Sequence, residues 1–172
     1  MRIVNARKKD INDVISLNRA FYKELKDPNF QDYGNLKAIS QTNMQKWFYG
    51  VLKEVNAGKS IYLLASSDND ETVGHCFVRP LDMPASERSH VGRVSVFILK
   101  DYRLRHFGTK LLKRAITLAR NRFVMLQIDV FSTNKVGKHL YKKFGFKKWG
   151  RAPDYIKRGN RYIDEEFMYL RL

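Results

Sequence analysis

Apolar residues recur at helical spacing in two stretches of the first third of the chain. The first stretch follows Asp10, which is predicted to cap a helix. Its apolar face comprises Ile11, Val14, Ile15, Leu17, Phe21 and Leu25. A second helix is predicted over residues 36–57, with Gly58 as its end and Trp47, Phe48, Val51, Leu52 and Val55 at helical spacing.

The rest of the chain alternates between strand-like and helical patterns. Strands are predicted over residues 2–7, 60–66, 72–79, 93–99, 124–131 and 162–172, and a polar turn joins the second and third in a hairpin. One helix is predicted over residues 135–143. Another is predicted after the strand at 93–99, with an apolar face that comprises Phe107, Leu111, Leu112, Ala115, Ile116 and Ala119. This order of elements predicts a mixed α/β fold.

A basic loop that contains a glycine separates the strand at 93–99 from the helix that follows it. Unpaired backbone N–H groups and the positive end of the helix dipole make such a helix start suited to an anion, here a diphosphate. Arg103 and Arg105 add guanidinium groups that match phosphate oxygens. A solvated helix start in a basic chain has the same pattern, so this segment alone leaves both interpretations open.

A second motif follows downstream in the segment LQIDVFSTNKVGKHLYKKFGF. It contains a strand, a helix led by Asn134, Tyr141 seven residues after that asparagine, and a Phe-Gly-Phe. Together the two motifs resemble the signature of the GNAT superfamily of N-acetyltransferases. The resemblance covers the chain from about residue 60 onward well, and the N-terminal third only in outline.

One position departs from the family pattern. The family's first motif is Q/R-x-x-G-x-G/A, and here it is the segment from Arg103 to Gly108, with His106 in place of the first glycine. If the backbone at that position is left-handed or passes close to a diphosphate, a Cβ atom has a cost. We therefore expect His106 to weaken cofactor affinity rather than abolish it.

The resemblance implies both the fold and the number of domains. It implies a GNAT fold, with a mostly antiparallel twisted sheet of about six to seven strands, about four flanking helices and a splay between the two central strands. Residues 1–172 are expected to form a single N-acetyltransferase domain, since a chain of 172 residues with 44% hydrophobic residues can bury one sizeable core.

The resemblance also implies acetyl-CoA as the cofactor and a set of residues that bind it. Backbone groups near Val96, Phe97 and Ile98 are expected to pair with the pantetheine amides and to polarise the acetyl carbonyl. The diphosphate loop comprises Arg103, Leu104, Arg105, His106, Phe107, Gly108 and Thr109. Asn134 and Lys138 are further candidates to hold coenzyme A, and Tyr141 matches the general acid that protonates the leaving thiolate.

The amine acceptor must lose a proton, because an alkyl ammonium with a pKa of about 10 is protonated at neutral pH. Asp129, five residues before Asn134, resembles in its spacing the glutamate that serves as base in ribosomal-protein N-terminal acetyltransferases, and is the candidate base, through a water relay. A strand Asp that faces solvent or pairs with a lysine is the alternative. Glu71 and His75 are weaker candidates. Phe30, Tyr33 and Trp47 are either part of the acceptor pocket or ordinary core and surface aromatics.

Composition limits the remaining function classes. The single cysteine, Cys76, excludes an internal disulfide and is expected to be a small core residue, and the four histidines have no zinc-ligand spacing. No apolar run is long enough to cross a membrane, and the N-terminus lacks the apolar stretch of a signal peptide. A soluble, cytoplasmic protein, as a monomer or homodimer, is expected.

The charge is the feature that the resemblance does not explain. The chain has 33 Lys and Arg against 17 Asp and Glu, a formal net charge of +16. Coenzyme A phosphates account for a few of these charges, and the rest fit either a nucleic-acid-associated or acidic substrate or a generally basic surface.

The predicted function is acetyl transfer from acetyl-CoA to a primary amine of a protein N-terminus, a polyamine or a small molecule. Acetylation of aminoacyl-tRNA or of a ribosomal protein is an alternative that the charge suggests. A non-catalytic GNAT-like module that binds nucleic acid or a partner protein is an alternative from another class. Intact Asn134 and Tyr141 argue against it.

Overall fold

The computed structural model describes residues 1–25, 40–81 and 87–172, which form four α-helices and seven β-strands. The helices are α1 Ile11–Leu25, α2 Gln41–Asn56, α3 Phe107–Ala119 and α4 Lys135–Lys143. The strands are β1 Arg2–Asn5, β2 Ile61–Ser66, β3 Thr72–Pro80, β4 Val91–Ile98, β5 Met125–Phe131, β6 Lys147–Arg158 and β7 Arg161–Arg171. None of the described helices has the length and apolar content needed to span a bilayer.

All seven strands belong to one sheet, in the order β1-β2-β3-β4-β5-β7-β6. Every neighbouring pair is antiparallel except β4 and β5, which run parallel at the centre. The parallel pair is joined through α3, as a crossover connection requires. The mixed α/β fold and the mostly antiparallel sheet predicted from the sequence are confirmed.

Each face of the sheet packs against helices through a separate hydrophobic cluster. On one face, Leu111, Leu112 and Ala115 of α3 are completely buried against the strands. On the other face, Phe48 of α2 and Tyr62 of β2 belong to a second buried cluster that also includes residues of α1. The sheet therefore separates two helical layers, and an opening at the centre of the sheet can connect its two faces.

Two element boundaries differ from the prediction in the N-terminal part: β1 ends at Asn5 rather than at residue 7, and the second helix begins later than residue 36. The helix α1 begins at Ile11, directly after Asp10, whose Oδ2 accepts a hydrogen bond from the backbone N–H of Arg7 at 2.7 Å in the preceding 3-10 turn. The second helix begins at Gln41, and Ser40 is its N-cap. Residues 36–39 of the predicted helix, and the predicted pocket residues Phe30 and Tyr33, lie outside the described residues.

The strand β6 is the element that the sequence analysis missed. Its sequence, KKWGRAPDYIKR, combines charge, Gly and Pro, which obscure the alternation expected of a strand. Pairing with β7 is irregular between Lys148 and Gly150 and between Ala152 and Ile156. Such irregularities break the period of two on which strand prediction depends.

Candidate active site

The two central strands diverge after a short paired segment. Parallel pairing of β4 with β5 runs from Val91 to Arg93, whereas β4 continues to pair with β3 as far as Ile98. The end of β4 therefore presents one backbone edge to the gap between the central strands. This gap is the splay that the sequence analysis expected, and two cavities open from it, one on each face of the sheet.

The first cavity, here called the α3–α4 cleft, has a volume of about 480 Å³. It lies between the end of β4, the loop after it, the start of α3 and the helix α4. Ten of the residues predicted to bind the cofactor line it: Val96, Phe97, Ile98, Arg103, Leu104, His106, Gly108, Thr109, Asn134 and Tyr141. The two sequence motifs, which are separated along the chain, thus meet at one cleft.

Backbone N–H groups at the start of α3 face this cleft. The first helical hydrogen bond runs from the N–H of Lys110 to the carbonyl of His106 at 3.0 Å, so the N–H groups of the three residues between them precede it. The loop reaches the helix through left-handed residues at Leu104, with a φ of 60°, and His106, with a φ of 64°. His106 thus occupies the left-handed conformation that favours glycine, which supplies the physical reason for glycine in the family motif.

The arginines of the loop are arranged differently from the expectation. The guanidinium of Arg103 forms an ion pair with Glu24 and donates from Nε to the carbonyl of Ile98 at 2.9 Å, so it fixes the loop to α1 and β4. Arg105 lies outside the lining, with its guanidinium 5.7 Å from the ring centre of Tyr102. Neither guanidinium points into the cleft as an unengaged phosphate ligand.

Phe107 and Lys138 are the other predicted cofactor residues that do not line the cleft. The Phe107 side chain is buried in the core and its ring packs edge-on against Tyr102. The ammonium of Lys138 turns to the sheet, where it donates to the carbonyl of Ser132 and lies 3.4 Å from Glu166. Only the backbone of Phe107 remains a candidate for anion binding, and Lys138 is placed as a structural ion-pair partner.

Asn134 occupies the position predicted for it, at the start of α4. Its Oδ1 accepts a hydrogen bond from the backbone N–H of Gly137 at 2.8 Å, which caps the helix. A Cβ atom on Gly137 would come within 3.0 Å of the Asn134 side chain, so the glycine provides the space for the cap. The cap holds Asn134 at the gap between the central strands, where it borders both cavities.

The second cavity, here called the aromatic cavity, has a volume of about 390 Å³ and lies on the α1–α2 face of the sheet. Its ring-bearing lining comprises Phe21, Trp47, Tyr62, His75, Phe77, Phe97 and Tyr141. It shares Val96, Phe97, Asn134 and Tyr141 with the α3–α4 cleft. The two cavities therefore meet at the point where the central strands separate.

Tyr141 lies at this meeting point. It is the buried residue of α4, 7% exposed, and its ring packs near Phe146 at a centroid distance of 6.0 Å. The Phe-Gly-Phe turn that follows, with Gly145 at a φ of 86°, brings Phe146 back under the helix. This turn fixes the tyrosine ring between the cleft and the aromatic cavity.

Asp129, the predicted base, lines the aromatic cavity from β5. Its carboxylate, 3% exposed, forms an ion pair with Arg93 and accepts a hydrogen bond from Gln127 Nε2 at 3.0 Å. Glu165 on β7 is buried nearby, and burial, with the Asp129 charge as a second cause, raises the pKa of its carboxyl. Neither Arg93 nor Glu165 is predictable from local spacing, because the Arg93–Asp129 ion pair and the electrostatic effect of Asp129 on Glu165 depend on strand order.

The two weaker base candidates lie in different places. His75 lines the aromatic cavity, where its Nδ1 is 3.3 Å from the hydroxyl of Tyr62, and burial lowers the pKa of its imidazole to about 4. Glu71 is outside both cavities and accepts a hydrogen bond from Tyr102 at 2.6 Å.

Cys76 is fully buried in the core, and burial raises the pKa of its thiol to about 12.

Several cleft residues were missed by the sequence analysis. They are Lys100, Tyr102, Val136, Gly137, His139, Leu140 and Lys143. Three of them, at positions 136, 140 and 143, follow the i, i+4, i+7 spacing of one helix face, which was a usable signal in the predicted helix. The basic side chains of the lining are those of Lys100, Arg103, His106, His139 and Lys143.

The chain belongs to the GNAT acetyltransferase family, since the family model described as an acetyltransferase (GNAT) domain matches residues 3–167. The resemblance stated from the sequence is confirmed. Acetyl-CoA is the cofactor of this family, and the protein belongs among the acetyltransferases.

Relatives and solved structures agree with this assignment. L-amino acid N-acetyltransferase AaaT of Escherichia coli (strain K12) is 29% identical over 108 residues, which are 62% of this chain and 65% of that protein, just under two thirds of its length. The ribosomal-protein-alanine N-acetyltransferase from Brucella melitensis has a TM-score of 0.84 at 20% identity, with 100% of both chains covered.

A third similar protein is yncA, a putative acetyltransferase from Salmonella typhimurium, solved with its cofactor acetyl-CoA. It has a TM-score of 0.85 at 20% identity, with 100% of this chain and 94% of that chain covered. At these identities the two solved structures show that the fold is shared.

The residues of the α3–α4 cleft fit coenzyme A. Helix N–H groups and basic side chains at one end suit phosphates, and the unpaired edge of β4 suits the amides of the pantetheine arm. At Gly108 a Cβ atom would make an ordinary van der Waals contact with Leu140 Cδ2, at 3.4 Å, so the start of α3 lies close to α4 there. The cleft then ends at Tyr141, next to the aromatic cavity.

Proposed function

We propose that this protein transfers an acetyl group directly from acetyl-CoA to a primary amine. The observation that carries the proposal is the meeting of two cavities, one on each face of the sheet, at Asn134 and Tyr141. One cavity suits a phosphorylated, extended cofactor, and the other suits an organic acceptor. Reactants that enter from opposite faces meet at the gap in the sheet without a covalent enzyme intermediate, in agreement with the inert, buried Cys76.

In this proposal the α3–α4 cleft binds and orients the cofactor. Bound acetyl-CoA supplies an acetyl group activated as a thioester. Backbone groups at Val96 and Phe97 hold the pantetheine arm and donate a hydrogen bond to the acetyl carbonyl, while the start of α3 holds the diphosphate. Ile98 has a smaller part, because its carbonyl already accepts from Arg103.

Asp129 is proposed to accept the proton of the acceptor ammonium through a water molecule. Its carboxylate lies on the wall of the aromatic cavity, and the ion pair with Arg93 orients it. The amine nitrogen would then form a bond to the acetyl carbon, with the thiolate of coenzyme A as the leaving group. Tyr141 is proposed to give its phenolic proton to the departing sulfur and to regain a proton from the nitrogen as the amide forms.

Calorimetric titration of acetyl-CoA into the purified protein tests the cofactor half of the proposal, with dephospho-CoA and ADP as controls. Micromolar binding selective for acetyl-CoA is expected. Absence of binding would refute the proposal. It would mean that the diphosphate loop, with the left-handed His106 in place of glycine, does not bind acetyl-CoA.

The variant Asp129→Asn tests the acceptor half. Its rate of acetyl transfer is expected to fall most at low pH, where the ammonium is hardest to deprotonate, while acetyl-CoA affinity stays within about twofold of wild type. Asp13→Asn, an exposed carboxylate on α1, is the matched control. A pH profile of Asp129→Asn that runs parallel to that of wild type would remove Asp129 as the base.

A second candidate acceptor is an amine carried on RNA, as in aminoacyl-tRNA, and a surface feature favours it. Trp149, Tyr155 and Tyr162 on the β6–β7 hairpin are 60%, 63% and 56% exposed, among lysines and arginines. The ammonium of Lys157 lies 5.6 Å from the ring centre of Tyr162. Exposed rings between cations suit stacking on unpaired bases next to a phosphate backbone.

Fluorescence anisotropy with a labelled tRNA, measured over a range of salt concentrations, tests this second candidate. Affinity is expected to fall steeply with salt and to fall again in the double variant with Trp149→Ala and Tyr155→Ala. Tyr49→Ala, a half-exposed aromatic on α2, is the control. Equal affinity of wild type and the double variant would exclude the hairpin as an RNA-binding surface.

A further inference from the structure

The aromatic cavity has a charge character opposite to that of the chain. The protein has a net charge of +16, yet no lysine or arginine among the described residues lines this cavity. Asp129 is the one acidic side chain in the described part of the lining. The nearest cation, Arg93, is outside the lining and is already paired with that carboxylate. The charge of this cavity therefore suits a ligand with an ammonium group and disfavours an anionic one.

The uncharged part of the wall is a set of packed aromatic rings. Trp47 contacts Tyr62 and Phe77 edge-on, at centroid distances of 6.0 and 6.1 Å, and Phe21 contacts Phe97 in the same way at 4.8 Å. Edge-to-face contacts hold these rings in defined orientations. The cavity thus offers preformed apolar walls to a flat or branched hydrocarbon group.

A carboxylate next to the acceptor amine is poorly accommodated. It would lie near Asp129, where like charges repel, and against rings that cannot solvate it. The neutral polar side chains in the described part of the lining are those of Asn18, Trp47, Tyr62, His75, Ser95, Asn134 and Tyr141; burial lowers the pKa of the His75 imidazole to about 4. Neutral polar groups of this kind do not replace a cation.

We propose that the acceptor is a primary amine attached to an aromatic or apolar group, with no free carboxylate beside the amine. This inference rests on the proposed acetyltransferase function and narrows its substrate class. Free α-amino acids are poor acceptors in this proposal, although the relative from Escherichia coli is named as an L-amino acid N-acetyltransferase. Amines, amino-acid amides and esters, and peptide N-termini with an apolar first residue remain within the class.

Three acceptors that share one ring and differ in the group beside the amine test the proposal: 2-phenylethylamine, L-phenylalanine amide and L-phenylalanine. The amine and the amide are expected to be acetylated with values of kcat/KM at least about 100-fold above that of phenylalanine. A value for phenylalanine within about threefold of the amide would overturn the proposal. So would acetyl-CoA binding without acetylation of the amine or the amide, whereas loss of acetyl-CoA binding itself would refute the underlying function.

A charge introduced into the cavity provides a second test. Asn18→Arg places a cation at the cavity wall. The ratio of kcat/KM for phenylalanine amide to kcat/KM for phenylalanine is expected to fall by about tenfold or more. Asn12→Arg, on the exposed side of the same helix, is the matched control and is expected to keep the wild-type preference. An unchanged preference in a folded Asn18→Arg variant that binds acetyl-CoA would argue against exclusion of the carboxylate by charge.

Discussion

The α3–α4 cleft and the aromatic cavity meet at the four residues that line both, yet the chain builds them in different ways. The cleft comes from two short segments, residues 96–109 and 134–143, each a strand or loop followed by a helix. The aromatic cavity draws on α1, α2 and the strands β2 to β5, from Val14 to Tyr141. A site built from local segments can be recognised as a motif, whereas a site built across the fold depends on tertiary packing.

The two sites also differ in charge, in a way that agrees with their proposed ligands. Basic groups line the cleft, among them Lys100, Arg103 and Lys143. The described part of the aromatic cavity has one carboxylate, that of Asp129. In the proposed reaction, this difference would direct the anionic cofactor and the cationic acceptor to opposite faces of the sheet before they meet at the central gap.

The largest effect is expected for Tyr141→Phe, which tests whether the meeting point has a chemical role. The ring and its packing remain, and only the leaving-group proton is lost, so kcat is expected to fall by about 10³-fold with acetyl-CoA affinity nearly unchanged. Steady-state kinetics and calorimetry measure the two quantities. Tyr49→Phe on α2 is the control, and a wild-type rate in Tyr141→Phe would remove the tyrosine as general acid.

The next largest effect is expected in the pH dependence of stability, to which His75 of the aromatic cavity contributes. Burial in the aromatic cavity lowers the pKa of His75 from 6.5 to about 4, so the unfolded chain binds more protons than the folded one between these values. Acidification through this window is expected to lower the free energy of unfolding by about 3 kcal/mol through His75. The free energy of unfolding, measured by denaturant titration at several pH values from 7 to 4, should depend less steeply on pH in His75→Gln than in wild type.

A polar residue of the same cavity that is not ionisable provides the control for that experiment. Asn18→Gln leaves His75 in place and is expected to keep the wild-type slope of the free energy of unfolding against pH. An equal slope in wild type and His75→Gln would mean that the imidazole is solvated in the folded state. The aromatic cavity would then be wetter than its lining indicates.

A smaller effect is expected at Asn134, which borders both sites. Asn134→Ala removes the cap of α4, at a cost of about 1 kcal/mol, and is expected to weaken acetyl-CoA binding and raise the acceptor KM together. Ser40→Ala removes the cap of α2 and lies outside both linings, so it should cost stability alone. Unchanged binding in Asn134→Ala would limit the residue to a capping role.

The contrast between the sites also explains what the sequence could predict. Asn134, Tyr141 and the helix start at Gly108 were found because each belongs to a motif with fixed spacing along the chain. The partnership of Asp129 with Arg93 and Glu165 was not found, because it joins β5, β4 and β7 across the sheet. Pattern specifies which segments form helices and strands, but side-chain partners depend on strand order and register.

The two loop arginines show the same limit within a motif that was recognised correctly. The sequence gives Arg103 and Arg105 equal claims as phosphate ligands, yet Arg103 has its side chain bound to Glu24 and Ile98. That geometry follows from the packing of α1 against the loop, which no local spacing reveals. Arg103 is therefore a residue that positions the loop, and Arg105 contributes charge near its surface.

The smallest effect is expected for Arg105→Ala, which measures how much of the cleft's affinity comes from charge outside its lining. A surface cation is screened by salt, so the variant is expected to raise the Kd of acetyl-CoA about two- to threefold at low salt and hardly at all at high salt. Lys147→Ala on β6 is a control of equal charge change outside the cleft. A large loss that persists at high salt would instead make Arg105 a direct phosphate ligand, with its side chain turned from Tyr102 into the cleft when the cofactor binds.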